Sequence, residues 1–213
     1  MLDKIKNNKL LIYITIPFIT IITIITSIIV LGNELFIDKL AYDLIVEQLR
    51  SPILTIFMKT ITKLSDTGNI ILIGFILTIL FVCFLKQKKV AILIPCNLIV
   101  ATLANQTLKA IFQRDRPFGY NLINASGFSF PSGHAMVSMA FYGLLIYIIY
   151  NLVKNKTLRN ILITLNVIII LLIGLSRVYL GVHYLSDIIA GFSISIIYLL
   201  LLTKILKKYK VFP

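Results

Sequence analysis

At 213 residues, 59% hydrophobic and only 14% charged, the chain is too apolar for a soluble domain, which would carry about a quarter charged residues. A net charge of +13 could suit nucleic acid, but the basic residues fall in short clusters between apolar runs. That is the loop pattern of a polytopic membrane protein, so nucleic acid is set aside as a partner and a single integral-membrane domain, 1–213, is expected.

The first apolar run, Leu10 to Leu31, is 22 uncharged residues without a small-residue cleavage site, and reads as a retained span over 10–31. Next comes a segment in which Leu35, Phe36, Leu40, Leu44, Ile45 and Leu49 recur at helical spacing among Glu34, Asp38, Glu47 and Arg50. It predicts amphipathic helices over 33–66 lying in the membrane interface, broken at Ser51-Pro52. Two roles stay open for them: a plain connection packed on the bundle, or a part in admitting a lipid. Further spans are expected at 67–85, 90–111, 132–153, 160–177 and 183–203, giving an all-α, six-span protein. Cys83 and Cys96 fall inside apolar runs, where buried thiols are expected rather than a disulfide.

Charge sets the expected orientation. With the N-terminus inside, Lys4, Lys6 and Lys9, Lys86, Lys88 and Lys89, Lys154, Lys156 and Arg159, and Lys204, Lys207, Lys208 and Lys210 are all inner, 13 basic residues against the single acid Asp3. The outer segments hold 8 basic residues and 7 acids. Both termini should therefore be cytoplasmic.

In that orientation three outward junctions carry nearly all the chemistry-bearing groups. They are "KAIFQRDRP" from Lys109, "PSGH" from Pro131, and "SRVYLGVHYLSD" from Ser176. Lys109, Arg116 and Arg177 offer fixed positive charge, and an arginine presents a donor fork suited to phosphate oxygens. Ser132 and Gly133 open the fourth span, where backbone N–H groups and the helix dipole face an anion. His183 and Asp187 lie four apart, so the carboxylate can hold one ring nitrogen and leave the other free as a nucleophile. His134 stands where it could protonate a leaving oxygen. No ligand cluster with metal spacing accompanies them, so no metal or other cofactor is expected.

Each piece has a plainer reading. An arginine at a span end is usually a snorkelling anchor, "PSGH" can be a helix start capped by serine, and Asp115 can simply pair with Arg114. Against this, both histidines of the chain fall in one constellation.

The pattern K-x6-RP, PSGH, SR-x5-H-x3-D resembles the three-part signature of the type 2 phosphatidic acid phosphatase superfamily, with all eleven fixed positions matched. The resemblance implies a six-helix lipid phosphatase in which His183 is the nucleophile, Asp187 orients it and His134 is the acid. It also implies that Lys109, Arg116, Ser132, Gly133 and Arg177 hold the phosphoryl oxygens. Phosphatidic acid, phosphatidylglycerol phosphate and undecaprenyl pyrophosphate all remain open as the substrate, as does the oligomeric state. A non-catalytic lipid-binding or transport protein of the same fold is the alternative.

Overall fold

The computed structural model describes residues 2–212, and over 2–10 the helical backbone alone, so the inner charges read at Asp3, Lys4, Lys6 and Lys9 lie outside the described side chains. Every regular element among the described residues is helical: α1 (Leu2–Val30), α2 (Phe36–Ala41), α3 (Pro52–Thr62), α4 (Thr67–Ile79), α5 (Lys88–Phe112), α6 (Gly133–Leu152), α7 (Lys156–Tyr179) and α8 (Leu185–Lys208). Wider π-helical turns prolong α2 through Tyr42–Gln48 and α4 through Leu80–Phe84. Six of these helices are long and apolar enough to cross a membrane, at the places expected.

The ends that differ from expectation have local causes. Asn155 caps α7, its Oδ1 accepting from the Leu158 N–H at 2.9 Å, so the helix starts at Lys156 rather than 160. At the other end of the fold α8 continues to Lys208, because lysines in a last turn oppose the helix dipole and carry their charge into water.

α6 is the centre of the bundle and packs against α5, α7 and α8, while α1 rests on α8 and α4 on α5. Inside a bilayer, lipid is as apolar as leucine, so close approach and internal hydrogen bonds hold helices together. Both occur here. Gly191 of α8 lies so near the start of α6 that a Cβ would sit 3.1 Å from the Ser132 carbonyl oxygen. Ser195 Oγ donates to the Met136 carbonyl at 2.7 Å and Asn97 Nδ2 to that of Ala140 at 3.0 Å. Around them Ile94, Phe141, Leu144 and Ile173 are fully buried.

Cys83 and Cys96 correct the sequence reading: both thiols are exposed on the outside of the bundle. An apolar helix in lipid has two faces of equal hydropathy, and composition does not tell the packed face from the lipid-facing one.

The 33–66 segment is bolted to the bundle. Arg50 donates to the carbonyls of Tyr179 and Tyr120 at 2.8 Å, and Tyr179 Oη meets Thr55 Oγ1 at 3.0 Å. α3 turns Met58 and Thr62 inward and leaves Ile53 and Ile56 bare, the two-faced arrangement of an interfacial helix. Asp38, one of the charged positions in the amphipathic pattern, points inward and is buried.

Candidate active site

Three helix ends meet at one level. The end of α5, the start of α6 and the junction between α7 and α8 surround a cavity of about 630 Å³, lined by Lys109, Arg116, Gly133, His134, Arg177 and His183 among others. Six of the eight residues singled out from sequence thus share one cavity, and α3 with the turn after it closes the remaining side.

The cations are held by backbone. Arg116 donates from Nε to Gly127 and from Nη2 to Ser126, both at 2.9 Å, which fixes the plane of its fork. Its Nη1 reaches the Val182 carbonyl at 2.7 Å and His183 Nε2 at 3.1 Å. Lys109 Nζ donates to the carbonyls of Phe128 and Ser129. Arg177 is 5% exposed; its Nη1 donates to Thr62 Oγ1 at 2.7 Å, while Nε has no acceptor among the described residues. A buried donor left open is costly unless something occupies the site.

His183 sits where the chain leaves α7 for α8, and its two nitrogens have distinct neighbours. Nδ1 lies 3.3 Å from Asp187 Oδ2, one turn into α8, and Ser129 Oγ bonds the same carboxylate oxygen. A guanidinium only donates, so Nε2 beside Arg116 must be the acceptor and the ring proton belongs on Nδ1. Burial pushes the imidazole pKa down to about 3, so the ring is neutral at ordinary pH. The outcome is an imidazole whose unprotonated nitrogen faces the cavity.

Asp187 is itself fully buried behind the cavity wall. Its Oδ1 accepts from Arg114 Nη1 at 2.7 Å. Arg114 also donates to Asp38 Oδ2 at 2.9 Å and to Ser186 Oγ at 2.7 Å, and stacks 4.0 Å from the Tyr184 ring centroid. Asp38 in turn accepts from the Ser186 N–H at 2.7 Å. Arg114 therefore pairs with Asp38 and Asp187, not with its neighbour Asp115.

His134, on the first turn of α6, faces another carboxylate. Its Nε2 is 2.9 Å from Asp66 Oδ1. The His134 hydrogen bond holds the Asp66 carboxyl below the usual carboxylate range, so Asp66 is the acceptor and Nε2 the donor. Asp66 occupies the residue before α4, yet its side chain makes no cap bond there.

The two small motif residues divide. Gly133 is on the cavity wall, where a Cβ would press to 3.0 Å from Asn105 Oδ1. Ser132 is not: its hydroxyl is buried and caps α6 through the Ala135 N–H at 3.5 Å, while its own N–H reaches the Asp187 carbonyl at 3.2 Å. Sequence reasoning missed Thr62, Asp66 and Ser129, and gave Arg114 only as a partner for Asp115. Only Arg114 carried a signal, as a third cation inside a motif-bearing loop.

The PAP2 superfamily model matches residues 70–210. Phosphatidylglycerophosphatase B of Bacillus subtilis (strain 168) is 37% identical over 114 residues, covering 52% of this chain and 55% of that protein. The putative undecaprenyl-diphosphatase YbjG of Escherichia coli (strain K12) is 33% identical over 110 residues, 49% of this chain and 51% of the other. These alignments span about half the length of the curated relatives. Among solved structures, the transmembrane PAP2 type phosphatidylglycerolphosphate phosphatase from Bacillus subtilis superposes with a TM-score of 0.81 at 26% identity, over 91% of this chain and 96% of that one. Aquifex aeolicus LpxE shares the fold, with a TM-score of 0.58 at 23% identity over 75% and 92% of the two chains. With its six spans, its three motif-bearing junctions gathered at one cavity and a family match over most of its length, this multi-pass membrane protein belongs to the PAP2 superfamily.

Proposed function

We propose that the protein is a lipid phosphatase that releases a terminal phosphate through a phosphohistidine intermediate. The observation that carries this is the placement of His183, with Nδ1 beside Asp187 and Nε2 beside Arg116 on the wall of a cavity of cations. Lys109, Arg116, Arg177 and the backbone N–H of Gly133 take the phosphoryl oxygens, and Arg177 Nε gains the acceptor it lacks. The bond between Arg116 and Nε2 gives way as a phosphoryl oxygen takes over the Nη1 donor. Nε2 then bonds phosphorus, the bond from phosphorus to the lipid oxygen breaks, and His134 gives that oxygen a proton. Water next attacks phosphorus, the P–N bond breaks, and His134 takes the proton back. The side-chain cations supply the charge that a metal would otherwise provide, so turnover proceeds without one.

The lysine-rich ends of α5, α7 and α8 lie opposite the cavity and favour the cytoplasmic side, which opens the site to the extracytoplasmic face. Two measurements test the reading. Purified protein in detergent should release phosphate from lipid phosphates, keep its activity in excess EDTA and be inhibited by vanadate; loss on chelation restored by magnesium would refute the metal-free step. In a background lacking Cys83 and Cys96, Phe118→Cys should react with an impermeant thiol reagent in intact cells and Lys154→Cys only after permeabilisation. The reverse pattern would overturn the sidedness.

A further inference from the structure

The cavity is wider than a single phosphoryl group fills, and its charge extends beyond the three cations assigned to one. Lys59 and Lys63 of α3 and the turn that follows also line it, both with exposed side chains. Four residues apart, they stand on one helical face. That face is fixed in place: Thr62, next to Lys63 and one turn from Lys59, holds Arg177 through its hydroxyl at 2.7 Å. Tyr179 and Arg50 pin the start of α3. Neither lysine makes an ion pair among the described residues, and Asp66, the acid on the wall, is engaged by His134. The wall thus presents five fixed or mobile cations against one committed carboxylate. Lys59 and Lys63 also lie outside residues 70–210, so they are a property of this chain's interfacial segment rather than of the stretch matched to the family.

We infer that Lys59 and Lys63 form a second anion subsite, which holds another phosphate of the same lipid while its terminal phosphate meets His183. The inference rests on the phosphatase reading above and narrows it: the preferred substrates carry two phosphates, and lipids with one are poorer. The second phosphate can come from a diphosphate or from a phosphodiester separated from the terminal monoester by glycerol. The chemistry is shared, since both place a second anion on the lipid side of the reacting phosphorus, toward the interface where α3 lies.

The full chain in detergent micelles, wild type and Lys59→Gln/Lys63→Gln, decides it with undecaprenyl pyrophosphate, phosphatidylglycerol phosphate and phosphatidic acid as probes. For the wild type, KM on the two-phosphate lipids should be well below that on phosphatidic acid. The double substitution should raise KM about tenfold on one or both of them, the change expected from losing a charge-assisted contact, with kcat nearly unchanged. On phosphatidic acid KM should move far less, and Lys59→Arg/Lys63→Arg should restore the discrimination. A rise on the diphosphate alone puts the subsite one bridging oxygen away, and a rise on phosphatidylglycerol phosphate alone puts it across the glycerol. Equal changes on all three lipids, vanishing at high salt, would mean general attraction to anionic lipid and overturn the inference; so would unchanged KM. Failure of the wild type to hydrolyse any of the three would instead refute the phosphatase reading.

Discussion

The two histidines of this protein are each held by a carboxylate, yet the two arrangements differ in almost every other respect. His183 is 3% exposed and takes its partner from one turn along the same chain, and Ser129 and Arg114 brace that partner in turn. The His134 side chain is 23% exposed and takes its partner from 68 residues away, on a turn that belongs to the interfacial segment. The first arrangement suits a nitrogen that must keep one tautomer and one aim. The second suits a group that exchanges protons with a leaving oxygen and with water, at the rim where water arrives.

Substitutions can break this comparison or sharpen it. His183→Ala should have the largest effect, lowering kcat on a lipid phosphate by on the order of 10⁴-fold or more while leaving expression and helix content intact. Near-wild-type release from this variant would end the assignment of the nucleophile. Asp187→Asn should cost roughly 10² to 10⁴-fold in kcat with KM little changed, because the amide no longer holds the proton on Nδ1. His134→Gln should lose roughly 10² to 10³-fold, and a substrate with a good phenolic leaving group should recover much of it, since such an oxygen needs no acid. Recovery of the same size in His183→Ala would show that the two rings do not divide the work. Asp66→Asn should cost only about tenfold, because the more open ring can still reach water as a partner.

The smallest effect concerns stability. With its folded pKa near 3, His183 binds no proton between about pH 3 and 6.5 while the unfolded chain's histidine does. The unfolded state therefore gains protons as pH falls through that window. The stability contribution of the neutral ring is complete above about pH 6.5 and shrinks on acidification. Thermal melts from pH 7 to pH 4.5 in detergent should show a smaller drop in Tm for His183→Gln than for the wild type. An equal drop would place the acid sensitivity elsewhere.

The same contrast explains what could be read from sequence. Spans were legible because runs of apolar residues and lysine clusters are local signals, and the His183–Asp187 pair was legible because helical spacing brings i and i+4 together. Asp66 was not, because an aspartate just before a helix looks like an ordinary cap, and only the fold shows that its carboxylate turns to His134 instead. The inward turn of Asp38 was hidden for a related reason: it is one of the charged positions in the amphipathic pattern, and nothing local reveals Arg114 waiting inside. The exposed Cys83 and Cys96 mark the limit of hydropathy itself, which does not register which side of an apolar helix meets protein.

The link from Asp38 through Arg114 to Asp187 also bears on how such proteins can be recombined. Arg114 divides its donors between an interfacial residue and the carboxylate behind His183, and neither half is complete alone. Exchanging residues 33–51 for a foreign amphipathic segment would remove one acid and leave a largely buried guanidinium underpartnered, a loss that typically costs 3–5 kcal/mol when a buried pair is broken. A graft that carries an aspartate at the position of Asp38 should fold, and one that carries only the right hydrophobic pattern should not. The interfacial segment and the loop that carries Arg114 therefore form one physical unit, and a successful chimera should have its joints on either side of that pair rather than between its members.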